Sequence, residues 1–211
     1  MKWPEFLAAL GREPVFFASL LQTGDMTHRE LSVQLSRWVR SGRLIQLRRG
    51  VYAIAPPYRQ VEPHPFLVAN TLRKNAYVSL QSALAFHGVI PEHVPVCTSV
   101  TTGRPERLDT PLGTYVYHRI KPDHLFGFEQ RAVAPNQVAF VASAEKALLD
   151  LVYLTPGASA ERYLRELRLQ HTHVLDGETL QALAERMGKP KLRRAAWAIH
   201  RLIEEAAVAS P

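Results

Sequence analysis

The chain has 211 residues, 46% apolar and 21% charged, with a formal net charge of +7 in which arginine (20) far outnumbers lysine (6). This composition excludes a largely disordered chain. The single cysteine, Cys97, excludes an internal disulfide and a thiolate metal cage, and no apolar run is long enough to span a bilayer. A soluble, cytoplasmic protein of two small domains is expected, with a polyanionic partner, because guanidinium pairs bidentately with phosphate and with guanine edges.

In chain order, residues 4–10 predict a short helix with Pro4 in its first turn and Gly11 past its end. Residues 14–22 predict a second helix, with Val15, Phe16, Leu20 and Leu21 as apolar bulk, and Gly24-Asp25 predicts a turn. Thr27 with Glu30 is a capping box that opens a third helix. At 3.6 residues per turn, Leu31, Leu35, Trp38 and Val39 share one side, and Arg29, Val33, Ser36, Arg37 and Arg40 share the other. Gly42 stops this helix. Leu44, Ile45 and Leu47 predict a strand, Val51, Tyr52 and Ile54 a second, with Arg48, Arg49 and Gly50 at the turn.

A helix with an exposed arginine face, joined to a short hairpin with arginine at its tip, is the pattern of a winged helix-turn-helix. The helix would enter the major groove, with Arg37 at a guanine edge, Val33 at a thymine methyl, and Arg29 and Arg40 at phosphates. Arg48 and Arg49 at the hairpin tip would clamp the backbone or the narrow groove beside it, and Arg43 is a further candidate DNA contact. The charge distribution agrees: residues 1–59 hold nine Lys/Arg against four Asp/Glu, a balance of +5, whereas the remainder holds 17 against 15. A basic helix face alone is more often plain solvated surface; the conjunction of helix, Gly turn and basic hairpin is what points to DNA.

Residues 56–65 carry several prolines and no apolar period, and are expected to link residues 1–55 to a second domain, 66–211. That domain opens with helices at 66–72 and 80–87, Ser79 capping the latter. It continues with strands at 96–101, 114–120, 126–133 and 138–141, too closely spaced for crossover helices, so a mostly antiparallel sheet is expected. Helices follow at 144–154, 158–169, 178–187 and 191–207. A block of strands followed by a block of helices means α+β: an N-terminal winged helix-turn-helix, then a mixed domain with a C-terminal helical part.

Candidate chemistry is sparse. His171-x-His173 is the tightest histidine pair, but it lies in a loop-like run and lacks a third ligand at metal-site spacing, so neither a metal nor a cofactor is expected. His87 and His118 read as locally hydrogen-bonded. Lys146 and Asp150, four apart on one helix, read as a surface ion pair worth a few tenths of a kcal/mol. No phosphate loop, nucleophile elbow or nuclease carboxylate set is present, and no catalytic residue is assigned. Lys189, Lys191, Arg193 and Arg194 open the last helix, where cations oppose the macrodipole. They form a candidate patch for an anionic partner: DNA backbone, RNA or an acidic protein.

The runs GRLIQLRRGVYAI at the wing, YVSLQSALAFHGVIPE, YVYHRIKPDHLFGFE and VASAEKALLDLVYL occur in an order and spacing that resemble the AbiEi-like antitoxins, the transcriptional regulators of type IV toxin–antitoxin systems. Ser143-Ala144 stands where that pattern has Asp-Pro, and both start a helix. A single winged helix reads only a short half-site, so two copies on an inverted repeat are expected. The resemblance implies that the winged helix binds operator DNA and represses its own operon. It also implies a C-terminal domain that counters a cognate nucleotidyltransferase-like toxin. A stand-alone regulator without a toxin, and an antitoxin that neutralises by direct contact, are the alternative readings.

Overall fold

The computed structural model describes residues 2–21, 27–91 and 94–209. The N-terminal part consists of α1 (Trp3–Leu10), β1 (Val15–Phe17), a 3-10 turn (Ala18–Leu21), α2 (His28–Arg40), β2 (Leu44–Arg48) and β3 (Val51–Ile54). The strands form an antiparallel sheet in the order β1-β3-β2. The helix expected over residues 14–22 is therefore corrected to a strand and a 3-10 turn. Val-Phe-Phe has strand propensity, and pairing of Val15 with Ala53 and of Phe17 with Val51 fixes it. The expected end of that helix at Gln22 and the Gly24-Asp25 turn lie outside the described residues.

α2 forms where its local signals put it. The Thr27 amide donates to Glu30 Oε2 at 2.9 Å and the Glu30 amide to Thr27 Oγ1 at 3.3 Å, closing the capping box. Leu31, Leu35 and Trp38 are buried against an aromatic cluster in which Trp38 lies 4.7 Å from Phe6 and 5.1 Å from Trp3. Gly42, at φ +69°, ends the helix while the Arg43 amide donates to the Trp38 carbonyl at 2.9 Å.

Both faces of the small sheet are covered. Phe16, Leu44, Tyr52 and Ile54 belong to the core with α1 and α2. Their alternates Val15, Leu47, Val51 and Ala53 belong to the larger core of the rest of the chain, with Val68, Leu72 and Ala76. The period-2 geometry of a strand makes this division possible. The connecting run is also held: Gln137 accepts from the His64 amide at 2.7 Å and donates to the Glu62 carbonyl at 2.8 Å.

The remainder comprises α3 (Pro65–Leu72), β4 (Ala76–Val78), α4 (Leu80–Phe86), β5 (Val96–Thr101), β6 (Glu106–Thr110), β7 (Gly113–Arg119), β8 (Phe128–Ala134), β9 (Gln137–Ala142), α5 (Ala144–Leu154), α6 (Glu161–Glu166), α7 (Gly177–Met187) and α8 (Pro190–Ala209). Its sheet runs β6-β7-β5-β4-β9-β8, with antiparallel pairs β6·β7, β4·β5 and β8·β9 and parallel pairs β5·β7 and β4·β9. Strands β4 and β6 were not expected from sequence. The fold is α+β with a mixed sheet.

Helix α5 packs against α4, α7 and α8 and is buried from Ala144 to Val152. This corrects the reading of Lys146 and Asp150 as a surface pair: both side chains are fully buried and in contact. Tyr77 accepts from Lys146 Nζ at 2.7 Å and donates to Asp150 Oδ2 at 2.9 Å, and Ser79 Oγ donates to the same oxygen at 2.8 Å. Ser79 therefore spends its hydroxyl on Asp150 and does not cap α4. Burial pushes the Lys146 ammonium below its usual value, opposed by the adjacent Asp150 carboxylate, and pushes the Tyr77 phenol up. The network ties β4 to α5 through the core.

Candidate nucleic-acid interface

The α2 face opposite the aromatic core consists of Arg29, Val33, Ser36, Arg37 and Arg40, all exposed, Val33 at 44%. None of the three arginines pairs with a carboxylate among the described residues. Ser36 donates to the Ser32 carbonyl at 2.8 Å, which leaves its oxygen able to accept. The thirteen-residue helix is long enough to lie in a major groove.

Beside it the β2–β3 hairpin turns through Arg49 and Gly50, and Gly50 takes φ +79°, a conformation in which a side chain would be strained. A cleft of about 340 Å³ separates the hairpin from the start of α2 and is lined by Ser19, His28, Leu31, Arg48, Arg49 and Gly50 among others. Arg49 is exposed at its rim.

The other two wing arginines are turned inward. Arg48 donates to the Leu72 carbonyl at 3.0 Å and lies 3.6 Å from Glu106, which Arg73 also binds at 2.7 Å. Arg43 lies over the Trp3 ring, 5.4 Å from its centroid. The register of β2 on β3 shifts between Gln46 and Arg48, just before the residue that turns inward. Of the eight residues expected at DNA, Arg29, Val33, Ser36, Arg37, Arg40 and Arg49 are exposed, while Arg43 and Arg48 make contacts within the protein. The roles of Glu106 and Arg73 in this joint were not foreseen, since nothing local in the sequence pairs residues so far apart.

The patch at the start of α8 is likewise divided. Lys191 Nζ donates to the Tyr153 carbonyl at 2.7 Å, in the last turn of α5, where a helix C-terminus attracts a cation. Arg193 binds Glu185 at 2.9 Å, Lys189 is half-buried and Arg194 is exposed. Among the described residues no three His, Cys, Asp or Glu side chains are grouped as metal ligands. His171 Nδ1 sits 2.9 Å from the Gly88 carbonyl and His87 Nε2 sits 2.8 Å from the Ala142 carbonyl, while His118 is half-buried. No helix among the described residues is long and apolar enough to cross a membrane.

Residues 5–55, which contain α2, the hairpin and the aromatic core, match the AbiEi_4 family model, described as a transcriptional regulator, AbiEi antitoxin. Over these residues the chain is similar to that family. Over the whole chain, the fold is similar to the crystal structure of the RV2827C protein from Mycobacterium tuberculosis, with a TM-score of 0.56 at 17% identity, covering 92% of this chain and 74% of that one. No curated protein matches the chain. The AbiEi match ends within one residue of the last strand of the wing, so it covers the part of the molecule that carries the arginine face.

Proposed function

We propose that this protein is a sequence-reading DNA-binding repressor of its own operon. Arg37 and Val33 of α2 contact base edges, Arg29 and Arg40 contact phosphates, and Arg49 holds the backbone beside the wing. The observation that carries this reading is the solvent-facing basic side of α2, free of carboxylate partners among the described residues, within a module that matches a family of transcriptional regulators. A single winged helix reads only a short half-site, so two copies occupy an inverted repeat. The test compares variants on upstream and scrambled duplexes. Arg37→Ala should cost about 1 to 3 kcal/mol on the upstream duplex and relax sequence preference, whereas Arg49→Ala should weaken both duplexes alike and lower the salt slope by about one. Unchanged specific binding by Arg37→Ala would refute this orientation of α2.

The AbiEi match also favours an antitoxin role, in which residues 66–211 counter a nucleotidyltransferase-like toxin encoded beside this gene. Co-expression with that neighbour tests it: rescue of growth supports the role, and growth arrest despite ample antitoxin leaves a stand-alone regulator.

A further inference from the structure

Helix α8 buries Leu192, Ala195, Ala196 and Ile199, and the helical period therefore turns Arg193, Arg194, Trp197 and Arg201 outward. Trp197 is 63% exposed, whereas Trp38 is 3% exposed and Trp3 packs among Phe6, Trp38 and Tyr58. A large indole left in water on a helix whose other face is fully packed marks a contact surface more than a folding requirement. The surroundings of this indole are basic. Arg193 and Arg194 stand one turn before it and Arg201 one turn after, and from residue 186 to residue 201 the chain has six Lys/Arg and no Asp/Glu. The His200 ring lies nearly parallel to the indole, at 14° and 6.4 Å between centroids.

Carboxylates border the patch without closing it. Glu185 holds Arg193 at 2.9 Å, Glu161 lies 3.7 Å from Arg201, and Glu204 lies 3.4 Å from His200. The two arginine pairs are solvent-exposed, of the kind that hold little energy and exchange readily for a phosphate. Arg194 pairs with no carboxylate among the described residues. An acidic peptide would use the arginines and leave the indole idle. A nucleotide strand uses both, because every base has a flat π-face and every linkage a phosphate.

We propose that this face of α8 is a stacking platform for single-stranded nucleic acid, with one base on the Trp197 indole and the flanking phosphates on Arg194 and on Arg193 and Arg201 drawn from their exposed partners. It is separate from the duplex-reading face of α2 and does not rest on it.

The test uses the full chain with Arg37→Ala and Arg49→Ala, so that α2 and the hairpin contribute least, titrated with a fluorescein-labelled oligothymidylate of about a dozen nucleotides. Binding with quenching of tryptophan emission is expected. Trp197→Ala should weaken it on the order of tenfold, Trp197→Phe less, and Arg194→Ala should lower the salt slope by about 0.7. Trp197 is exposed, so its loss leaves folding intact. Absence of binding, or equal binding by Trp197→Ala, overturns the proposal. Equal displacement by poly-L-glutamate together with indifference to Trp197 overturns it in favour of an acidic protein. Upstream-duplex binding, measured in parallel on the single variant Trp197→Ala, should be unchanged, so failure on α8 and failure on α2 are told apart.

Discussion

Arg37 stands exposed mid-way along the solvent face of α2 and is proposed to meet a base edge; Arg49 stands exposed at the hairpin cleft and is proposed to meet a phosphate. Arg48, next in sequence, has a different role. Its guanidinium is 35% exposed and shares Glu106 with Arg73, so Arg48→Ala is expected to lower the urea midpoint more than it alters the salt slope of DNA binding. A slope that falls as far as with Arg49→Ala, at unchanged stability, would contradict this division. Lys146 sets the other extreme of charge placement. Lys146→Met leaves Asp150 buried without its cation and should cost about 3 to 5 kcal/mol in denaturant unfolding. A loss under about 1 kcal/mol, typical of a surface pair, would show that the pair is not in the core.

At the scale of elements, what was legible in the sequence was what local interactions specify. The capping box, the apolar stripe and Gly42 lie within one segment, and α2 formed with the predicted faces. β1 was misread because its three residues become a strand only through β3, some 36 residues later, and β6 because a charged edge strand, Glu-Arg-Leu-Asp-Thr, reads as a loop. An i,i+4 Lys–Asp pair looks the same in sequence on an exposed or a buried helix, and only the helices packed around α5 decide which. Arg48 and Arg49 looked equivalent for a similar reason, since only the fold brings Arg48 to Leu72 and Glu106 and leaves Arg49 exposed. Because Val15, Leu47, Val51 and Ala53 are shared with the larger core, the wing sheet is expected to unfold together with the rest of the chain in one thermal transition. Two resolved transitions would contradict the shared core.

The whole molecule couples a basic N-terminal winged helix to a larger α+β body through that sheet and the Arg48–Glu106–Arg73 joint. Burial holds His64, His118 and His124 below their usual pKa of 6.5. The unfolded chain therefore binds more protons below pH 6.5, and the stability these groups contribute is present above that pH and lost as pH falls through their folded values. The urea midpoint should accordingly drop as pH falls below 6.5, and a flat profile there would contradict the burial of these rings.

The central claim is that α2 reads sequence. It is tested most directly by fluorescence anisotropy of the full chain on its own upstream duplex and on a scrambled duplex of equal length, across a salt series. A preference for the upstream duplex of about a thousandfold or more is the predicted result. Equal binding to both, falling steeply with salt, would reduce the arginine face to non-specific electrostatics and contradict the account.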